Sequence, residues 1–152
     1  MENTKLEAFH IIGINVRTTN ENQQAAKDIP TLWNTFMTED IINKIPNKVD
    51  NTIYAIYSDY ESDHTKPYTT YIGCQVLSLE NIPENMIAKT IMKGNYTKFT
   101  TTGDLSKGLV YDEWMKIWNT PLNRKYTTDF EVYGEKAQNP TNAEVAIYIA
   151  TE

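Results

Sequence analysis

Two hydrophobic spacings alternate along the chain. Residues 9–17 show the period-two pattern of a half-buried strand. Ile29, Leu32, Trp33, Phe36 and Met37 then recur at the three-and-four spacing of a helix. Asp28 and Pro30 suit that helix's first turn, where a missing N–H costs nothing, and Pro46 closes the helical region. Residues 52–58 and 68–78 read as strands joined by a polar hairpin turn over 59–67. The same order returns in the second half. Residues 86–93, extending as far as 99, form a strand that Gly103 and Asp104 break. Asp104 or Ser106 caps the next helix, Val110, Trp114, Ile117 and Trp118 give it an apolar stripe, and Pro121 stops it. Residues 126–133 and 144–150 are the last strands.

Each half therefore reads β-α-β-β, over about residues 5–79 and 85–151, within one α+β domain. Laid on each other, the halves match Trp33 with Trp114, Phe36 with Ile117 and Met37 with Trp118. Tyr54-Ala55-Ile56-Tyr57 falls on Phe130-Glu131-Val132-Tyr133, so the first half carries Ala55 where the second carries Glu131. Two such units make a cleft at their junction with an acid on one side only.

Strand parity puts Asp129, Glu131 and Tyr133 on one face and Phe130 and Val132 on the other. If the first face lines a cleft, Glu131 is an anionic floor between π walls, suited to an apolar cation. Tyr133 can stack on a ligand or donate to the carboxylate. Trp114 and Trp118, one helical turn apart, either pack on the sheet or wall the cleft. Tyr57 and Tyr71 are chosen from the strand tyrosines because each has a small neighbour on its own face, Ala55 and Gly73. Trp33, between Leu32 and Phe36, reads as core. Asp129, near the strand start, is expected to be solvated. Gly73 signals a bulge or a close approach by another group, and Cys74 a small buried hydrophobe.

Composition narrows the classes. A formal net charge of −6 over 152 residues opposes direct nucleic-acid binding, which needs a basic patch. No apolar run is long enough for a bilayer, and the first residues lack a signal peptide's pattern, so the expected setting is the cytoplasm. A single cysteine allows no internal disulfide or metal-ligand spacing. His10 and His64 stand far apart, with no catalytic triad or metal cluster around either, and no cofactor motif is present.

Ile29-Pro30-Thr31-Leu32-Trp33, Tyr54-Ala55-Ile56-Tyr57-Ser58-Asp59-Tyr60, Tyr68-Thr69-Thr70-Tyr71-Ile72-Gly73 and Asp129-Phe130-Glu131-Val132-Tyr133 together resemble the GyrI-like, or AraC-type, effector-binding domain family. The resemblance spans nearly the whole chain. It implies two β-α-β-β units forming a curved antiparallel sheet, two helices, and a central cleft in which a small molecule, often a lipophilic cation, meets a buried Glu at the position of Glu131. With no room for a helix-turn-helix domain, it implies a stand-alone member, acting on transcription through a partner regulator or binding gyrase. A subset of this superfold is similar to hydrolases of strained, electrophilic compounds; no second acid or nucleophile stands at a compelling spacing here for that chemistry.

Overall fold

The computed structural model describes residues 1–152. Its elements are β1 (Glu2–Leu6), β2 (Phe9–Thr18), α1 (Ala25–Thr38), β3 (Ile53–Ser58), β4 (Tyr68–Val76), β5 (Ile87–Ile91), β6 (Gly94–Gly103), α2 (Leu109–Trp118), β7 (Arg124–Tyr133) and β8 (Ala143–Thr151). All eight strands join one antiparallel sheet in the order β1-β6-β8-β7-β3-β4-β2-β5.

That order reads identically from either end when β1–β4 are exchanged with β5–β8. The two units meet at β3 and β7, where Ala55 pairs directly with Glu131. The expected single strand over 86–99 is corrected: it is two strands at remote places in the sheet. β5 pairs with β2 of the first half, and β6 pairs with β1 and β8. Each unit is thus β-β-α-β-β, with its first strand placed in the other half. The extra strand β1 gave no period-two signal, because Glu2-Asn3-Thr4-Lys5-Leu6 is polar and mostly exposed.

Only Glu7 and Ala8 separate β1 from β2, although the two strands lie near opposite ends of the sheet. A two-residue connection cannot span a flat sheet of this width, so the sheet curls until its ends approach. Inside the curl lie Ile11, Ile56, Tyr71, Ile91, Tyr96 and Phe130, with Phe9, Tyr54 and Tyr148 stacked among them. Where β2 crosses β4, Gly13 faces Gly73, and a Cβ on Gly13 would come within 2.0 Å of the Ile72 carbonyl oxygen. That is the close approach foreshadowed by a glycine inside a strand.

Both helices cover the outer face. Leu32 and Phe36 of α1 pack on Ile12, Ile72 and Cys74. Ile117 of α2 packs on Phe99, Ile147 and Ile149. Full burial of a side chain such as Phe36 is worth about 1.5–3 kcal/mol. α1 begins earlier than expected, which places Pro30 inside the helix. Asp28 binds neighbours instead of capping, accepting from the Thr18 hydroxyl at 2.9 Å and the Gln24 amide at 3.0 Å. Asp104 does cap, but for the 3-10 turn Leu105–Lys107 that precedes α2.

Candidate ligand-binding site

Register settles which side chains share the helix-covered face. Ala55 pairs with Ile72 on one side and Glu131 on the other, and Glu131 pairs with Ile147. Ile72 packs under α1 and Ile147 under α2. Glu131 therefore sits between the two helices, at the join of the units, and is only 2% exposed.

Its carboxylate is held by neutral donors alone. The Tyr57 hydroxyl donates to Oε2 at 2.7 Å, as does the Trp114 indole N–H at 2.7 Å. The Tyr133 hydroxyl donates to Oε1 at 2.6 Å. No Lys, Arg or His forms an ion pair with it. Burial pushes the Glu131 pKa above the ordinary carboxylate value, and the bonds from Tyr133, Trp114 and Tyr57 pull part of the way back. Tyr57 and Tyr133 are held well above the usual phenol value by burial first and the adjacent acid second.

Asp129, two positions earlier, makes the contrast. It is fully buried, which corrects the expectation of a solvated acid. It accepts from Arg124 at 2.7 Å, the Tyr60 hydroxyl at 2.6 Å and the Ala150 N–H at 2.9 Å. A bulge between Arg124 and Asp129, with Tyr126 at φ 54°, folds Arg124 back onto its partner. One buried acid thus has a cation built in, and the other has none.

Aromatic rings close over Glu131. Tyr57 meets Trp114 edge-on at 5.5 Å and Tyr68 at 6.1 Å. Trp118 lies 6.2 Å from Trp114, with His64 of the β3–β4 hairpin stacked on it at 5.9 Å. Trp118 is 40% exposed, so it forms an outer layer and does not touch the acid. Two surface hollows, of about 480 and 520 Å³, lie elsewhere, one beside α1 and β5 and the other beside β1 and β6. At the centre, where the resemblance places a ligand cleft, Glu131 is covered by a box of aromatic rings, of which Tyr57, Trp114 and Tyr133 are half-buried.

Of the six singled-out residues, Glu131, Tyr133, Trp114 and Tyr57 come together and Trp118 joins as cover. Tyr71 does not. It pairs with Ile56 on the inner face and donates to Asp59 on that side. The small-neighbour argument fixed a face for Tyr71 only relative to its own strand; the β3–β4 register puts that face opposite to Glu131's. Tyr68, which shares the face of Thr70 and Ile72, went unnoticed for the same reason. Its hydroxyl pKa is raised to about 12, by burial and then by Glu131.

A curled eight-stranded sheet with two helices covering one buried acid has the effector-binding-domain fold. Residues 4–151 match the model of the Cass2 family, integron-associated effector binding proteins, and the chain belongs to that family. It is 32% identical to an integron cassette protein of Vibrio cholerae, whose crystal structure superposes with a TM-score of 0.79 over 99% of this chain and 95% of that one. It is also 28% identical over 151 residues to YobU of Bacillus subtilis (strain 168), a candidate transcriptional regulator, covering 97% of this chain and 94% of that one. SAV2435, solved bound to tetraphenylphosphonium, shares the fold at a TM-score of 0.81 and 16% identity, over 99% of this chain and 93% of that one. No helix is long and apolar enough to cross a membrane.

Proposed function

We propose that this effector-binding protein captures a lipophilic cation, with the Glu131 carboxylate as its counter-ion and Tyr57, Tyr133, Trp114 and Trp118 as its apolar walls. The observation that carries this reading is a buried carboxylate supplied with neutral donors and no cation, two residues from one that has its own arginine. An uncompensated buried charge is costly. A ligand's positive charge removes that cost, whereas a neutral isostere leaves it standing. Ring faces add cation–π attraction of about 0.5–2 kcal/mol, and buried apolar area adds roughly 25 cal/mol per Å². SAV2435, with the same fold and a bound phosphonium, agrees with this chemistry.

Entry requires the aromatic cover to move, since Trp114 itself holds Oε2. The sign of the pH dependence follows. The empty site favours the protonated acid, because burial raises its pKa. A bound cation favours the carboxylate and lowers that pKa. Affinity therefore falls as pH drops through the empty-site value, and binding releases a proton between the two values.

The test is calorimetric titration of the parent and Glu131→Gln with tetraphenylphosphonium and with neutral triphenylphosphine oxide. The parent is expected to prefer the cation tenfold or more, and the variant to lose that preference. Equal affinity of the parent for both compounds refutes the reading.

A further inference from the structure

The box around Glu131 is nearly two-fold symmetric, and its fourth wall is a residue that the sequence assigns to the core. Ala55 and Glu131, which occupy equivalent places in the two units, are paired directly across the junction, so the axis relating the units passes between them. Tyr57 and Tyr133 are the next equivalent pair. One hydroxyl binds Oε2 at 2.7 Å and the other Oε1 at 2.6 Å, from opposite units. Trp114 and Trp33 are the equivalent helix residues. Trp114 stands edge-on to Tyr57 at 5.5 Å and 89°, and Trp33 edge-on to Tyr133 at 5.1 Å and 79°. Each corner thus joins a strand tyrosine of one unit to a helix tryptophan of the other.

The symmetry fails in two places. The side chain on the axis is large on one strand and a methyl group on the other. And Oε2 accepts two donors whereas Oε1 accepts one, because Trp33 does not reach the carboxylate as Trp114 does. A carboxylate oxygen has two lone pairs, so Oε1, with Tyr133 as its one donor, keeps unused acceptor capacity. Both tryptophans are half-buried, each packed by one side against the apolar cluster under its helix while its edge meets a tyrosine of the box.

From this arrangement we infer that Trp33 is a ligand-contacting wall equivalent to Trp114, and that the site takes a cation bearing two aromatic arms on one charged centre. The centre lies at the carboxylate on the axis, and one arm enters each Tyr–Trp corner. This rests on the cation reading above and adds the shape of the guest. A one-armed cation fills a single corner and forfeits the burial of the other.

Dibenzyldimethylammonium and benzyltrimethylammonium share a quaternary centre and differ by one arm. Titration of the parent is expected to show the two-armed cation binding at least tenfold more tightly. Trp33→Leu should cut that preference to threefold or less while leaving the one-armed cation within threefold of its parent affinity. Because Trp33 also touches Phe36 at 6.4 Å between ring centres, Trp33→Phe serves as the variant that keeps an aromatic ring and the fold. It should weaken the two-armed cation by threefold or more and leave the one-armed cation unchanged. Equal binding of the two cations by the parent, or an undiminished preference in both variants, overturns the two-armed inference. Glu131→Gln separates the two levels. If it abolishes binding of both cations while they bind the parent equally, only the two-armed inference falls. If it has no effect on either, or if neither cation binds the parent, the cation reading falls as well and takes this inference with it.

Discussion

Glu131→Gln should make the empty protein more stable at neutral pH, although it removes a charged hydrogen-bond acceptor. A glutamine fits the site: its carbonyl can take the Oε2 position, accepting from Tyr57 and Trp114, and its amide can donate to the Tyr133 oxygen. The swap keeps hydrogen bonds that are worth about 1.5–3 kcal/mol each when the acceptor is charged and nearer 1 kcal/mol when it is neutral. Against that loss stands the desolvation of an ion, several kcal/mol in a real protein interior. The raised pKa of Glu131 says that desolvation wins. Its folded-state pKa lies above the unfolded value, so between the two the native state holds more protons than the unfolded chain, and stability falls as pH rises. Each pKa unit by which the native value exceeds the unfolded one adds about 1.4 kcal/mol to the variant's advantage above the native pKa. Urea unfolding of both proteins from pH 4 to 8 measures it. The variant's advantage should be full above the native pKa and shrink as acid protonates the parent. A variant less stable than the parent by the same amount at every pH would refute the reasoning, by showing that the three donors outweigh the burial cost.

Arg124→Ala should destabilise the fold by about 3–5 kcal/mol, because it strands the fully buried Asp129 without its cation; adding Asp129→Asn should recover part of that loss in the same denaturation assay. Gly13→Ala should cost at least about 1–3 kcal/mol, because the new methyl meets the backbone of β4; a midpoint equal to the parent's would show that the strands part easily there.

The parts of this molecule that were legible in its sequence are those where side-chain pattern and structure share a cause. Leu32 and Phe36 lie at helical spacing because one helix face is buried, and the strands of the β3–β4 hairpin alternate because their two faces meet different surroundings. Glu131 stood out because a carboxylate flanked by aromatics is unusual on a strand, and because the resemblance places a buried Glu at its position. Long-range register was not legible. Tyr71 and Tyr57 obey the same local rule, and only the pairing of Ile56 with Tyr71 separates their faces. Asp129 looked solvated because its countercharge, Arg124, is brought back by a bulge and a positive φ at Tyr126 that no periodicity announces. β1 was hidden for a simpler reason: an edge strand whose inward face offers only the half-buried Thr4 and Leu6 has little pattern to show.

The exchange of first strands gives the molecule a mechanical character. A cut between the units would leave each fragment with an unpaired inner strand and a stray outer one, so neither half is a module that can be lifted out. Motion at the junction must also be shared. Because β1 and β5 each bridge to the opposite unit, a rotation that spreads the helices above Glu131 pulls on both far margins of the sheet at once.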